Sequence, residues 1–335
     1  MDFIAIGDTV VDEFIRLKEA RVDCDKNGEN CTISLPWGDK IPYDFVVSIP
    51  GVGNAANAAV AAARLGLSSG FVSNIGKDRP GEEILASFAR EGVDTSCIQI
   101  NEGIPTNRHF VLWQGAERTI LIRHEAYPYL IPENLTAPKW LYLSSMSKHA
   151  AAFHSELASW LAGHPETKLA FQPGTFQISM GKEKLAPLYA RADFVACNKE
   201  EAKRILEISR PAEGAGETDM RELLEKMHAL GPKIVFITDG VKGAYAYDGS
   251  TTFRVPVYPD AQPPVDRTGA GDASAATVVA ALALGLPLGE ALAWGPVNAL
   301  SVVQYVGAQK GLLTREALEK LLSEAPAGYL VAPLE

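Results

Sequence analysis

The segment Asp266-Arg267-Thr268-Gly269-Ala270-Gly271-Asp272 carries the chemistry most plainly. Two glycines and a carboxylate sit where a loop gives way to an apolar helical run: Ala273, Ala275, Ala276, Val278, Val279, Ala281 and Leu282. The first N–H groups of a helix have no intrahelical partner, and the helix dipole favours negative charge beside them. Glycine lets the backbone approach a phosphate closely. A carboxylate among phosphate-binding amides would only repel the anion if anion binding were its task. Asp272 makes sense as a base that takes the proton from a hydroxyl attacking a phosphoryl group. The plainer alternative is an N-capped helix after a glycine-rich turn.

Other segments could serve the same reaction. In Gly51-Val52-Gly53-Asn54-Ala55-Ala56-Asn57, Gly53 gives close backbone access, and the amides of Asn54 and Asn57 match hydroxyl groups. The competing readings are helix capping by Asn54 and a dinucleotide-binding fingerprint with Asp78 downstream. Pro50 between strand and glycine, and the position of the unit after the first clear strand, count against the fingerprint. Asp12 follows the first strand, where a carboxylate at the carboxyl end of a parallel strand faces a ligand crevice, or is simply a loop acid. Asn198-Lys199-Glu200-Glu201 reads as a helix capping box. Thr238-Asp239-Gly240-Val241-Lys242-Gly243 reads as a turn between two strands. Arg108 could reach a substrate phosphate or be a salt-bridged surface residue.

The 266–272 string resembles the carboxy-terminal signature of the ribokinase-like sugar kinases, the PfkB family, whose core is Asp-x-Thr-Gly-Ala-Gly-Asp. Ser274 stands where that family commonly has Phe. The Gly53 segment resembles the family's other signature, Gly-Gly-x-x-x-Asn before an Ala-rich helix ending Arg-Leu-Gly. Arg64-Leu65-Gly66 fits, Val52 replaces the first glycine, and the Gly53-Asn54-x-x-Asn57 spacing is most like ketohexokinases and some nucleoside kinases. The resemblance covers nearly the whole chain. It implies that Asp272 is the catalytic base and that the amides of Gly269, Ala270, Gly271 and Asp272 form the anion hole. It implies that Asp12, Gly53, Asn54 and Asn57 hold the acceptor. Asn198 and Glu201 would organise Mg²⁺ and phosphates, with Glu201 acting through water, which suits a cation that keeps several waters. Thr238 and Gly240 would meet the nucleotide phosphates, Gly243 the nucleoside, and Asn298 the adenine wall. Asp266, Thr268 and Gly307 would match a monovalent-cation site.

The elements that must position these residues follow from periodicity. Residues 3–7 form a buried strand; 55–65 an Ala-rich helix stopped by Gly66; 71–75 a strand; 81–91 a helix. Strands near 140–143, 168–172, 193–197 and 234–238 alternate with helices near 150–162, 200–207 and 218–230, and helices near 271–284, 288–306 and 314–324 close the chain. Alternation of this kind predicts an α/β fold: a mostly parallel central sheet with helices on both faces. Strand pieces in 13–49 and 106–124, the latter around a turn at 114–117, lack intervening helices and suggest a small β-sheet lid. The expected division is a large domain of about 1–12, 50–104 and 125–335, with a lid of about 13–49 and 105–124.

Composition sets outer limits. The 335 residues are 47% hydrophobic and 21% charged, ordinary for a globular protein with a large core. A net charge of -10 disfavours nucleic-acid binding. No run is apolar enough to span a membrane, and the N-terminus reads as a strand rather than a signal peptide, so a cytoplasmic location is expected. Four cysteines do not make a disulfide framework in a chain of this length. Cys24 and Cys31 flank a polar loop, and no second Cys/His pair has zinc-ligand spacing.

Together these observations point to ATP- and Mg²⁺-dependent transfer of a γ-phosphoryl group to a sugar hydroxymethyl group, with potassium as an additional cofactor and a homodimer joined through the lid. A nucleoside acceptor remains the alternative; its base would need apolar surface, for which Trp37, Phe110, Trp113 and Tyr127 are the candidates. An NAD-dependent oxidoreductase and a non-catalytic sugar-binding regulator are the rivals from other classes.

Overall fold

The computed structural model describes residues 1–24, 31–115, 117–208, 219–259 and 262–334. β1 (Phe3–Ile6) is buried along its whole length and leads into β2 (Val10–Leu17). β3 (Arg21–Asp23) and β4 (Thr32–Ser34) pair with each other, and β5 (Tyr43–Val52) returns antiparallel to β2. α1 (Asn54–Arg64), β6 (Ser69–Gly76), α2 (Arg79–Arg90) and β7 (Ile98–Asn101) follow, then the hairpin β8 (Arg108–Gln114) and β9 (Glu117–Leu121). The chain continues through β10 (Trp140–Leu143), α3 (Ala151–Ala162), β11 (Lys168–Phe171), α4 (Thr175–Met180), α5 (Ala186–Arg191), β12 (Phe194–Asn198), α6 (Lys199–Ile205) and α7 (Met220–His228). β13 (Ile234–Thr238), β14 (Ala244–Tyr247), β15 (Thr252–Val255), α8 (Ala270–Ala283), α9 (Leu288–Val303), α10 (Arg315–Ser323) and β16 (Ala332–Pro333) complete it.

Ten strands form the central sheet in the order β16-β15-β14-β13-β12-β11-β10-β1-β6-β7. Every pair from β7 to β13 is parallel, and the β14–β16 edge is antiparallel. Strands such as Phe3-Ile4-Ala5-Ile6 and Trp140-Leu141-Tyr142-Leu143 are continuous apolar runs because helices cover both faces. One core packs α1, α8 and α9 on one face; the other packs α3, α5 and α7 on the opposite face. The mostly parallel sheet flanked by helices agrees with the sequence reading.

The second sheet has four strands in the order β5-β2-β8-β9. Here the expected boundaries shift: β2 begins at Val10 rather than 13, and β5 runs to Val52 rather than ending by 49. Asp12 therefore belongs to the small sheet. Cys24 and Cys31 are joined as a disulfide beside the β3–β4 pair, a pairing the sequence did not disclose. The polar loop between them, residues 25–30, lies outside the described residues, as does Ala116 of the expected 114–117 turn.

The dinucleotide reading is corrected by topology. The strand before Gly51-Val52-Gly53 is β5, an antiparallel member of the small sheet paired with β2, not a strand of the parallel sheet. A dinucleotide-binding unit requires that strand in the parallel layer.

Candidate active site

The parallel strands align the site. Register pairs Ile6 with Leu143, Leu143 with Phe171, and Asn198 with Thr238, so the residues that follow β1, β10, β11, β12 and β13 emerge at one carboxyl edge. The strand order runs outward from β1 in two directions, to β6 and to β10, and a crevice opens at such a switch point. Asp8, not Asp12, occupies the end of β1. Its carboxylate accepts from the Tyr129 hydroxyl (2.8 Å) and the Ser147 amide (2.8 Å) and lies 3.0 Å from His124 Nδ1. Asp8 is thus committed to tying the β1 loop to the loop after β10.

Asp272 lies in the first turn of α8, and three amides converge on it. Asn54 Nδ2 donates to Oδ1 (2.8 Å), Gln172 Nε2 donates to the same oxygen (3.0 Å), and Asn57 Nδ2 donates to Oδ2 (2.9 Å). Alanine makes this convergence possible. Ala55, Ala56, Ala58, Ala59, Ala61 and Ala62 of α1 and Ala273, Ala275, Ala276, Ala280 and Ala281 of α8 are buried in one core, and the two helices pack against each other. Small side chains let the backbones approach, which brings two asparagines at helical i, i+3 spacing onto one carboxylate. Burial pushes the Asp272 carboxyl up from its ordinary value; Asn57, Asn54, Gln172 and the nearby Arg118 charge oppose that rise without cancelling it.

The supporting residues were not visible in the sequence. Gln309 Nε2 donates to Asn57 Oδ1 (3.1 Å) and to the Gly51 carbonyl (2.7 Å), fixing the amide orientation of Asn57. The buried Tyr142 hydroxyl donates to Gln172 Oε1, fixing the other amide. The Arg64 of the Arg-Leu-Gly signature pairs with Glu91 (2.7 Å) and donates to the carbonyls of Gln309 (2.9 Å) and Leu312 (2.7 Å). Its place is structural: it holds the Gln309 loop against α1.

The glycines differ in what they permit. Gly269 caps α8 in the left-handed region, at φ 79°, and a Cβ there would meet Ala308 Cβ at 2.3 Å. Gly53 caps α1 at φ 125°, and a Cβ would meet the Asp8 carbonyl at 2.7 Å. Outside its own helix, Gly271 has nothing within 4 Å of a Cβ position, so the first turn of α8 borders open space there.

Asn198 and Glu201 form the expected capping box: Asn198 Oδ1 accepts from the Glu201 amide (2.8 Å), and Glu201 Oε2 accepts from the Asn198 amide (2.9 Å). Glu201 is nevertheless close enough to Asp272 to feel it. Burial first, then the Asp272 charge, hold its carboxyl above the ordinary range. Two desolvated carboxylates, one feeling the charge of the other, form a donor set that suits a hard divalent cation with water in its shell. Thr238 ends β13 at the same edge, and the turn after it closes with Asp239 N donating to the Gly243 carbonyl (2.8 Å). Gly243, at φ 93°, stands where a Cβ would meet the Val255 carbonyl at 2.3 Å, while Gly240 borders open space. Asn298 requires a correction. It is 0% exposed between α8 and α9, donating to Thr277 Oγ1 (2.8 Å) and accepting from the Leu313 amide (2.9 Å). Both ends of its amide are engaged within the helix layer, so it is not a wall residue.

On the small sheet, Asp12 and His109 are register partners, with Asp12 Oδ1 3.5 Å from His109 Nδ1. The His109 and His124 rings meet edge to face, 5.2 Å apart. Asp12 Oδ1, Asn107 Nδ2 and His109 Nε2 are buried with no hydrogen-bond partner among the described residues. Arg108 is also corrected. Strand alternation turns it away from His109, and it pairs with Glu13 (3.7 Å). It lines a separate groove with Asp78, Thr106, Phe110 and Leu121. The aromatic candidates are likewise dispersed. Trp113 is buried under Arg16 and edge-on to Phe45; Tyr127 is buried, donating to the Pro105 carbonyl (2.7 Å); Phe110 faces the Arg108 groove; Trp37 is fully exposed.

The Asp266, Thr268 and Gly307 trio does come together. Asp266 Oδ1 accepts from the amide (2.9 Å) and hydroxyl (2.6 Å) of Thr268, and Oδ2 accepts from the Gly307 amide (2.9 Å). Arg118, reaching from β9, places Nη1 3.8 Å from Asp266 Oδ1.

A family model described as pfkB family carbohydrate kinase matches residues 46–315. The chain is 29% identical over 289 residues to the 5-dehydro-2-deoxygluconokinase of Shouchella clausii, covering 81% of this chain and 86% of that one. It is 30% identical over 271 residues to the cytidine kinase of Thermococcus kodakarensis, covering 78% and 90%. Among solved structures, Arabidopsis thaliana ribokinase complexed with ribose and ATP superposes with a TM-score of 0.78 at 20% identity, covering 96% of this chain and 98% of that one. No helix of the described residues is long and apolar enough to cross a membrane.

Proposed function

The chain belongs to the pfkB family of carbohydrate kinases and is a sugar or nucleoside kinase, a phosphotransferase with an alcohol acceptor; from that premise we propose that it phosphorylates a hydroxymethyl group of a free sugar, with ATP as donor. The observation that carries the reading is Asp272: a desolvated carboxylate with a raised pKa, held by three amides, beside the free amides of a helix N-terminus.

Asp272 takes the proton of the attacking hydroxyl as the new O–P bond forms and the bond from the γ-phosphorus to the bridging oxygen breaks, releasing ADP. A carboxyl pKa raised above its ordinary value makes it a better proton acceptor. The amides of Ala270, Gly271 and Asp272, with the Gly269 turn behind them, face the charge developing on the transferring oxygens. ATP–Mg²⁺, when bound, would supply the transferable phosphoryl group and neutralise its charge, with Glu201 and Asp272 as the carboxylates that would face the metal. Thr238 and Gly240 would border the nucleotide phosphates, and Gly243 lets the turn pack against the Val255 carbonyl on the nucleoside side. Asn54 and Asn57 act first on Asp272; Asn57, with both amide ends engaged, orients the base rather than gripping substrate. The Asp266 trio comes together as a monovalent-cation site would require, but the Arg118 guanidinium, 3.8 Å from Oδ1, already supplies the positive charge there.

The small sheet favours a sugar. Asp12 Oδ1, Asn107 Nδ2 and His109 Nε2 offer an acceptor, a donor and an atom that is either, all without partners of their own. Buried polar atoms demand partners, and a polyol supplies both kinds. A nucleoside base would need an apolar face, and the four aromatic candidates are spread over other surfaces or buried. The exposed Phe45, Val46, Phe110 and Leu121 of the same sheet support a homodimer joined there, which light scattering tests.

The experiment is an ADP-release assay with ATP–Mg²⁺ over a panel of free sugars, sugar acids and nucleosides, with Asp272→Ala as control. Turnover on a sugar that falls about 100-fold or more in Asp272→Ala, with ATP binding retained, is the expected result. Turnover confined to nucleosides, or an Asp272→Ala variant near the unaltered rate, overturns the reading.

A further inference from the structure

We propose that Arg118 is a covalently attached counter-cation for Asp266, delivered by the small sheet in place of a monovalent metal ion, so that this protein has no need of potassium. Asp266 is 2% exposed. A buried carboxylate requires compensating charge as well as hydrogen bonds. The hydrogen bonds come from Thr268 and Gly307. Those groups are neutral N–H and O–H donors and bring no positive charge. The one full positive charge within ion-pair distance of Asp266 among the described residues is the guanidinium of Arg118, at 3.8 Å.

Arg118 is suited to the role in three respects. Guanidinium is permanently charged and weakly hydrated, so its burial costs less than that of an ammonium group. Its charge also reaches Asp272, where it favours the ionised carboxylate. The loop carrying Asp266 and Asp272 is thereby balanced at both ends by a single side chain. Finally, Arg118 comes from β9, a strand of the separate sheet, and its side chain is largely buried where that sheet meets the 266–272 loop. Nearby, Ile49 of β5 covers Gly307 so closely that a Cβ on Gly307 would meet Ile49 Cδ1 at 2.5 Å. Charge and apolar cover therefore arrive together from one sheet: when the sheet sits over the loop, Asp266 is both dry and neutralised.

The test needs no acceptor, so its failure is distinguishable from failure of the sugar reading. Melting temperatures of the full chain, Arg118→Ala and Arg118→Lys are measured in potassium and in tetramethylammonium at matched ionic strength. The unaltered protein is expected to melt identically in both. Arg118→Ala is expected to melt about 2–4 °C lower in tetramethylammonium and to regain most of that in potassium, as a small ion enters the vacated space. Arg118→Lys, which retains the charge, is expected to need no potassium. Saturable stabilisation of the unaltered protein by potassium overturns the proposal, because an ion then binds beside the arginine. So does an Arg118→Ala variant as stable as the parent in tetramethylammonium, and so does a loss that potassium fails to repair, since that leaves Arg118 as a packing contact only.

Discussion

Replacing Asn54 by Ala separates two roles that the same residue could play. Asn54 opens α1, where alanine is the best helix former and no side-chain cap is lost, so the helix itself is undisturbed. What disappears is one of two amide donors on Asp272 Oδ1. A hydrogen bond to a charged group contributes about 1.5–3 kcal/mol, and 1.36 kcal/mol corresponds to one pKa unit. Asn54 is only partly buried, so water recovers some of that interaction, and the lower end applies. The Asp272 pKa, already raised by burial, should therefore rise further. The base must be ionised to act, so activity is lost as pH falls through this pKa. The acid limb of kcat/KM should move towards higher pH, with a loss of about tenfold on that limb and little change on the plateau. The assay is a pH profile of kcat/KM on the acceptor that the panel identifies. If Asn54 merely grips a substrate hydroxyl, KM rises at every pH and the limb stays where it is; that result refutes the base-orienting argument.

Two glycines of the same loop should respond in opposite ways. Gly269→Ala forces a left-handed backbone on a residue with a Cβ and drives that Cβ to 2.3 Å from Ala308, so both stability and turnover should fall, with a melting temperature lowered by several degrees. Gly271→Ala meets no protein atom outside its own helix within 4 Å; it should melt like the parent yet lose at least about tenfold in kcat, because its methyl enters the space beside the amides that face the phosphoryl group. Equal losses of stability in the two variants would contradict this assignment of the open space. Arg108→Ala should change KM for the acceptor by less than about twofold, since Arg108 faces a different groove from His109; a large KM increase would return it to the acceptor site.

The layers of this fold were legible because they rest on local pattern. The alanines of α1, the stop at Gly66 and the continuous apolar runs of β1 and β10 each follow from periodicity within a dozen residues. The short helices α4 and α5 and the antiparallel strands β15 and β16 were not predicted as separate elements, for they are too brief to show a period. The site divides in the same way. Asp272 and its glycines announce themselves within seven residues. Gln172 and Gln309 do not, because each acquires meaning only by meeting a residue a hundred or more positions away, Asp272 in one case and Asn57 in the other. Asp12 and Arg108 were misplaced for a related reason: strand alternation and sheet membership decide where a side chain points, and a one-residue difference reverses it. Asn298 shows the converse hazard, a polar residue in a helical run whose amide joins helix to helix rather than protein to ligand.

The small residues of α1 and α8 therefore have a purpose beyond packing. Alanine at the contact brings the two helices close enough for Asn54 and Asn57 to reach Asp272 directly, and burial of that contact raises the carboxyl pKa that the amides then moderate. A larger side chain at the buried Ala58 or Ala276 would wedge the helices apart and lengthen hydrogen bonds of 2.8 and 2.9 Å that tolerate little stretching. The reactivity of the carboxylate is thus set by the same helix contact that supplies part of the core, and strain in one should be read in the other.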